Sequence, residues 1–429
     1  MPSTSSNISE SASSNTIDVV VVGAGLSGLR AALAIQGAGF SCAVVEATDR
    51  VGGKTFTLQS NSFGPGVNDV GAAWINDTSQ TEMYKLVQRY GLQTVTQLDR
   101  GHDVYLHGDE VVVSPHGGMP LKKEEQLALG QVLEACNKLS ASINLIDPAS
   151  GPGPENMISD VKDGGQYLRI REGTQSISKN MTRELRENSL HLSTPVTEIE
   201  QNAESDGCIV RSSNGVVFEA KKIILSIATP LYTTIKFTPT LPAPKYRLAT
   251  ENKLGYYSKI IFVFNEPWWR NAGLSGEIKS QDRGPILFSV DTSVPEDNQW
   301  SISCFMVGGH GLEWSRLSEQ ERRSSAWTQL RSAFENVKLE SGPVQFTEPI
   351  NVLEFEWTKQ KFFNGGPCPA SPPGLLSSID GSAIRAPFGN AHFVGTETAL
   401  EWKGYMEGAV RSGDRGAEEV IAALRSRSI

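Results

Sequence analysis

Asp18-Val19-Val20-Val21-Val22-Gly23-Ala24-Gly25-Leu26-Ser27-Gly28 sets a short apolar run directly before a glycine turn, and the turn opens Leu29 to Gln36, where Ala and Leu sit at packing positions. A run of this kind is the mark of a buried parallel strand, so the order strand, turn, helix is predicted. Cys42 to Val45 is a second apolar run, ending at Glu46. Right-handed crossover makes the two strands parallel. In that setting Gly23 permits the tight turn, Gly25 lets backbone approach a pyrophosphate, and Gly28 lets the helix pack on the strand. Phosphates would lie against the positive end of the helix. Glu46 is placed to accept hydrogen bonds from ribose hydroxyls. Glycine turns also arise for packing alone, but strand, helix and acid together favour a nucleotide. An acid at position 46 argues against a 2′-phosphate, hence against NADP.

Arg50-Val51-Gly52-Gly53-Lys54 follows at once. Two glycines between cations make a second backbone cradle for phosphate, suited to the longer reach of FAD rather than NAD. Standing alone, the segment would read as a solvated basic turn. Two other glycine-rich segments fail as a second dinucleotide turn. Gly151-Pro152-Gly153-Pro154 is blocked by its prolines, and Gly308-Gly309-His310-Gly311 lacks a helix and an acid. A pyridine nucleotide is therefore disfavoured as co-substrate.

The chain has 429 residues, 39% hydrophobic and 20% charged, which suits a globular protein of two or three folding units. A net charge of -9 leaves no electrostatic footprint for nucleic acid or an anionic membrane. Residues 1–16, rich in Ser and Asn, read as a disordered leader, neither signal peptide nor membrane span. No later stretch is long and apolar enough to cross a bilayer, and 425–429 form a polar tail. Cys42, Cys136, Cys208, Cys304 and Cys368 form no Cys-x-x-Cys pair, which points to reduced thiols in a reducing compartment. The cytoplasm is expected, with the peroxisome left open. The six His show no metal-ligand spacing, so no metal is expected.

Met83, Leu86, Val87 and Tyr90 fall at helical spacing before Gly91, and Leu129, Val132, Leu133 and Cys136 repeat the pattern. Pro148 to Asn156 is the most linker-like stretch. Ile209 to Ser212 and Val216 to Glu219 flank a Ser213-Asn214-Gly215 hairpin signal. Lys222 to Ile227, Lys259 to Phe264, Ser301 to Val307, Val352 to Trp357 and His392 to Val394 are strand candidates. Ser318 to Val337 and Gly404 to Leu424 are helix candidates.

Gly23 to Lys54, then Asn68-Asp69-Val70-Gly71-Ala72-Ala73-Trp74, resemble the flavin-containing monoamine oxidases. So do Phe393-Val394-Gly395-Thr396-Glu397-Thr398 and Trp402-Lys403-Gly404-Tyr405-Met406-Glu407-Gly408-Ala409. The resemblance runs from about Val19 to Glu419, and within the family it looks nearest to fungal enzymes that deaminate long-chain aminopolyols such as hydrolysed fumonisins. It implies an α/β fold in which a Rossmann-like FAD-binding domain (17–75, 190–238 and 385–424) interleaves with an α+β substrate domain (76–189 and 239–384). It implies FAD as cofactor, a small-molecule amine and O2 as substrates, and oxidation to an imine that hydrolyses to carbonyl and ammonia, with hydrogen peroxide as co-product. A homo-oligomer is left open. Gly71, Ala72, Trp74, Val196, Gly395 and Met406 would lie against the cofactor, with Glu397 on its sugar chain. The last helix would start near Gly404 and aim its dipole at the flavin's pyrimidine edge. Lys259 matches the lysine that holds a water beside flavin N5. Tyr405 matches one wall of an aromatic pair that guides the amine, whose neutral form a nonpolar site favours.

Two departures stand out. In the animal enzymes a Cys bonded to flavin and a cage Tyr follow Ser-Gly-Gly. Here the segment is Asn364-Gly365-Gly366-Pro367-Cys368-Pro369, so Pro367 takes the Cys place and Cys368 the Tyr place. FAD is then expected to be held noncovalently, and the cage to lack one aromatic wall, unless Cys368 reaches the flavin by a one-residue shift. Between Leu121 and Asp163 the family carries several helices, where this chain has one helix and a Gly/Pro-rich link. A more open pocket, a roof from a partner subunit or weakened catalysis would each follow. Two rivals stay open: a flavin desaturase or dehydrogenase on carbon-carbon bonds, and a noncatalytic FAD-binding protein.

Overall fold

The computed structural model describes residues 16–141, 160, 162–202, 207–280, 283–339 and 342–426. Strand β1 (Ile17–Val22) enters the glycine turn, helix α1 (Leu26–Gly37) leaves it, and strand β2 (Cys42–Val45) returns parallel to β1. The valines of β1 are closed in on both faces. Val19 and Val21 join one core cluster with Leu29 and Ile35 of α1, and Val20 and Val22 join another with Ile199, Phe218 and Phe393. Burial on both sides is why this strand reads as an unbroken apolar run rather than an alternating one.

Around β1 and β2 grows an eight-stranded sheet drawn from distant parts of the chain. Val217–Leu225 lies parallel to β1 on its far side, and Ala391–Phe393 lies parallel to Val217–Leu225. Gly207–Ser212 and Val196–Asn202 extend the sheet in antiparallel sense. The C-terminal helix Met406–Ser426 packs on α1, so closely that a Cβ added at Gly413 would sit 2.5 Å from the Ser27 carbonyl oxygen.

A seven-stranded sheet runs Asn351–Glu356, Tyr257–Phe264, Trp300–Val307, Phe288–Asp291, Leu274–Ser280, His102–His107, Glu110–Pro115. Its apolar face packs on helix Glu319–Glu335, whose first turn is closed by a reciprocal box between Ser318 and Glu321.

Several expected elements shift. The hairpin turn at Ser213-Asn214-Gly215 is present with Gly215 at φ +88°, but its second arm and the strand expected from Lys222 are one continuous strand, Val217–Leu225. Gly308-Gly309-His310-Gly311 does open a helix, Gly308–Trp314, contrary to expectation. It follows a strand of the antiparallel sheet, so it lacks the parallel-strand setting of a dinucleotide turn. The helix expected around Leu129 spans Lys123–Ala141. The leader, most of the Gly/Pro-rich link (142–159 and 161) and positions 427–429 lie outside the described residues. Among those described, no helix is long and apolar enough to cross a membrane.

Candidate active site

The two glycine turns are built into each other. Gly52 N–H donates to the Ala24 carbonyl at 2.9 Å, and Gly25 and Gly52 form a parallel bridge. Gly23 holds φ +104°, and a Cβ there would meet the Ser226 carbonyl oxygen at 2.7 Å. A Cβ on Gly28 would lie 2.0 Å from the Gly23 carbonyl oxygen, so this glycine serves helix packing. Gly25 differs, because the nearest atom to a Cβ there is the Gly53 α-carbon at 3.9 Å. Open space between two facing glycines is what a pyrophosphate requires. No side chain caps α1, and its first turn carries no acid. Its leading N–H groups, which lack intrahelical partners by geometry, are therefore offered to an anion.

Glu46, buried at the end of β2, accepts from Ala24 N–H at 2.8 Å and from Thr48 N–H and Oγ at 2.9 and 2.7 Å. It thus fastens the first turn to the second strand. Arg50 lies over the ring of Phe56, 4.2 Å from its centroid, with Trp357 and Phe363 at 5.8 and 5.3 Å. Its Nη1 reaches the Thr55 carbonyl, while Nη2 is buried without a hydrogen-bond partner. A buried guanidinium donor left unmatched beside a glycine cradle suits a phosphate oxygen. These residues fit FAD. Lys54 Nζ donates to the Pro367 carbonyl at 2.9 Å, tying the second turn to the segment that carries Cys368.

Lys259 is 1% exposed, and its ammonium donates to the carbonyls of Asp69 and Gly71 at 3.0 and 2.6 Å. It lies 5.1 Å from the ring centres of both Trp74 and Phe305. Register explains this company: Phe288, Phe305, Lys259 and Phe355 are direct cross-strand partners on four adjacent strands, a row of aromatics with one lysine inside it. Burial lowers the Lys259 pKa to about 8, with Asp69 pulling it back up. Burial conversely raises Asp69 to about 6, against hydrogen bonds from Thr57 and Thr174. Gly71 can only be glycine, since a Cβ would lie 2.2 Å from the Lys54 carbonyl oxygen, and Ala72 N–H bonds to that same oxygen at 3.0 Å. Trp74 is held by Gln97, to which its indole N–H donates at 2.9 Å.

Val196 begins its strand opposite Ser212, at some distance in sequence from the glycine turns. Gly395 takes φ +132° and turns the chain so that Glu397 is buried, accepting from Thr229 N–H at 2.9 Å. Burial raises the Glu397 pKa, and Lys54 pulls against it. The last helix starts at Met406, two residues beyond the expected start. Trp402 and Gly404 hold φ +54° and +90°, so the chain reverses before it can coil. Tyr405 precedes the helix, with its ring edge-on to Trp402 at 5.2 Å. A Cβ on Gly404 would lie 3.8 Å from that of Cys368, so the structure brings Cys368 and Tyr405 into one neighbourhood.

Sequence reasoning passed over three residues. Asp69 sits in a quoted segment but had no assigned part, and Tyr257 is visible only through its alternation with Lys259. Glu407 is fully buried and accepts from Glu82 and Met83 N–H at 3.2 and 2.8 Å and from Arg411 at 2.6 Å, pinning the last helix to helix Thr81–Arg89. A second polar centre also escaped notice, because its members are spread over the chain. Asp103, His116 and Glu277 have ligand atoms within 4.8 Å of one another. Lys279 enters it, 3.1 Å from Asp103 and 3.2 Å from Glu277, so the cluster has a resident cation of its own.

Comparison with known proteins agrees with this geometry. The flavin containing amine oxidoreductase family matches residues 26–145 and 139–421. A probable flavin-containing monoamine oxidase A of Dictyostelium discoideum is 28% identical, over 95% of this chain and 98% of that protein. Flavin-containing amine oxidase B of Homo sapiens is 28% identical, over 96% of this chain and 87% of its own length. Among solved structures, putrescine oxidase bound to putrescine superposes with a TM-score of 0.83 at 24% identity, covering 95% of this chain and 99% of that one, a likeness of fold. Cyclohexylamine oxidase from Brevibacterium oxydans IH-35A gives 0.83 at 25% identity, covering 96% and 100%. The chain belongs to the flavin containing amine oxidoreductase family and is a flavin-dependent amine oxidase with FAD as its cofactor.

Proposed function

We propose that the protein oxidatively deaminates a primary amine, long-chain or aminopolyol in character, to a carbonyl compound, ammonia and hydrogen peroxide. The observation that carries this reading is the buried Lys259 inside an aromatic row, 5.1 Å from the ring centre of Trp74. Burial there holds a lysine amine near pH 8, and an entering substrate ammonium meets the same apolar surroundings. It is thereby shifted towards the neutral amine, the form that can be oxidised. FAD, when bound, would supply the redox chemistry, a two-electron acceptor for the C–H bond beside nitrogen that O2 can reoxidise.

The chain's own residues position the reactants. Lys259 commits two hydrogens to the Asp69 and Gly71 carbonyls and offers the third to a water. Tyr405 presents a ring to the amine. Gly25, Arg50, Gly53 and Lys54 would take the phosphates, with Gly23 shaping the turn, and Glu46, Val196 and Glu397 would take the nucleoside and sugar chain. Ala72, Gly395 and Met406 would line the flavin. The cofactor is held noncovalently. Burial pushes the Cys368 thiol up to about 12, with Glu397 adding to the shift, so it is not the thiolate that flavin attachment requires. We place its action in the cytoplasm, with the peroxisome left open, on the five cysteines that form no Cys-x-x-Cys pair.

The test is the visible spectrum before and after anaerobic addition of primary amines, with peroxide measured in air. Bleaching of the flavin by an amine supports the reading, and an unbleached flavin across the panel refutes it. A Lys259→Met variant should keep its FAD yet turn over at least tenfold more slowly. Flavin remaining in acid-precipitated protein would refute noncovalent binding.

A further inference from the structure

The segment that ought to supply a second aromatic wall supplies Gly366, Pro367 and Cys368 instead. Small side chains stand on that strand in place of a large ring, and the structure shows what borders them. On one side Cys368 faces Gly404, 3.8 Å from a Cβ placed there, and Tyr405 is the next residue. On the other side a Cβ placed on Gly366 would lie 3.7 Å from the Cβ of Tyr257. Gly366 and Cys368 thus border Tyr257 and Tyr405 respectively, two residues apart on strand Gly366–Ala370. Tyr257 is also two residues from Lys259 on strand Tyr257–Phe264 and so points to the same side of the sheet. Its ring meets Phe305 edge-on at 5.9 Å, and Phe305 stacks on Phe288 at 4.3 Å.

We infer that Tyr257 is the second aromatic wall of the amine site, replacing from the Lys259 strand the ring that position 368 no longer provides. The inference rests on the amine-oxidase reading above and deepens it. Tyr257 keeps accessible surface although it lies deep in the protein. Burial raises its phenol pKa, and the Tyr405 phenol adds to that rise, as expected of two hydroxyls sharing one chamber. With the ring moved from one strand to its neighbour, the site gains open space over Cys368. The substrate nitrogen is then bracketed by Tyr405 and Tyr257, and its chain can leave past Gly366 and Cys368. Small residues in place of a ring favour amines with a long or bulky tail.

The experiment uses the FAD-loaded enzyme and tert-butylamine, which has no hydrogen on the carbon beside nitrogen and so binds without being oxidised. Its affinity is read from the flavin difference spectrum, alongside anaerobic bleaching by an oxidisable primary amine. Tyr257→Leu should weaken tert-butylamine binding about tenfold, and Tyr257→Phe should leave it within about twofold. The double variant Tyr257→Leu with Cys368→Tyr should recover most of the loss, because it returns a ring to that strand. Wild-type-like binding in Tyr257→Leu, or no recovery in the double variant, overturns the assignment. Should Tyr257→Leu fail to fold, Tyr257→Met carries the same prediction with closer volume. If an amine never bleaches the wild-type flavin, the amine-oxidase reading falls and takes this assignment with it. Bleaching of the wild type with unchanged Tyr257→Leu binding removes the assignment alone.

Discussion

Gly25→Ala separates a phosphate cradle from a packing glycine. Gly25 sits at the N-cap of α1 with φ -76°, a conformation alanine adopts freely, and a Cβ there meets nothing closer than 3.9 Å. Alanine is a poorer N-cap than glycine by roughly 0.5–1 kcal/mol. Reduced freedom of the unfolded chain returns about 0.4–1 kcal/mol. The apoprotein should therefore keep its stability within about 1 kcal/mol. The methyl group would, however, stand where a pyrophosphate must approach backbone. Losing one charge-assisted N–H bond to phosphate costs about 1.5–3 kcal/mol, or roughly a hundredfold in affinity near the upper end. At an FAD concentration 100 times the wild-type Kd, protection is about 2.7 kcal/mol, and it falls to about 0.4 kcal/mol when Kd rises a hundredfold. For a chain of 429 residues the unfolding entropy is roughly 0.9 kcal/mol/K, so the FAD-induced rise in Tm should drop from ~3 °C to under ~1 °C. Thermal melts of apoprotein with and without FAD, with flavin fluorescence titration, measure both quantities. Undiminished FAD protection in Gly25→Ala would refute the cradle. Gly28→Ala, whose methyl would meet the Gly23 carbonyl oxygen at 2.0 Å, should instead lose folded protein.

Three further outcomes are expected. Arg50→Met keeps an apolar stem over Phe56 but removes the unmatched Nη2 donor, so FAD affinity should fall roughly tenfold to a hundredfold in the same titration. Glu407→Ala strips the N–H groups of Glu82 and Met83 and the Arg411 guanidinium of their shared acceptor, and should cost roughly 2–4 kcal/mol in urea unfolding. His116 is held between Asp103 at 2.7 Å and Asp160 at 2.8 Å, which together raise its pKa to about 10. Burial pushes the Asp103 carboxyl up, but hydrogen bonds from His116 and Ser275 and the Lys279 charge outweigh it and leave it near 2. A raised histidine stabilises fully below its unfolded pKa of about 6.5 and stops doing so as pH passes 10. A lowered aspartate stabilises above about 3.9 and stops as pH falls through 2. The contribution of this His116–Asp103 pair, read as the difference between wild type and His116→Gln, should thus be flat from about pH 4 to 6.5 and fall towards pH 10 by roughly 2–4 kcal/mol, less than the full shift because Asp160 is partly exposed. Urea unfolding of wild type and His116→Gln across about pH 5 to 10 measures it, and a difference that does not shrink above about pH 6.5 would refute the pairing.

The parts of the fold legible in sequence were those whose burial is complete. The valines of β1 and the run Lys259 to Phe264 are apolar because both their faces are covered. Strands such as His102–His107 and Leu274–Ser280 were missed because only Val104, Leu106, Leu274 and Ile278 reach the apolar core, while the polar side chains between them answer to one another. Asp103, Ser275 and Lys279 make sense only once the two strands lie parallel. The same holds at the site. Arg50 was recognisable beside its glycines, but its aromatic bed comes in part from Trp357 and Phe363, some 300 residues away. Lys259 needed the family resemblance, since in sequence it looks like a solvated strand end. The start of the last helix was misplaced because positive φ at Trp402, a residue that rarely adopts it, leaves no mark in the sequence.

The sheet that presents the glycine turns takes its strands from both ends of the chain. Ala391–Phe393 completes it, and Met406–Ser426 must then dock on α1 before the turn is fully backed. During synthesis the first turn therefore leaves the ribosome long before its supports do. At roughly 5–20 residues per second the wait is about 20–80 s. Over that interval Val217–Leu225 lacks its neighbour Ala391–Phe393, and α1 lacks the helix that packs on it. Cofactor capture is consequently an event of the finished chain, and a nascent chain stalled before Ala391 would be a client for chaperones rather than a reservoir for FAD.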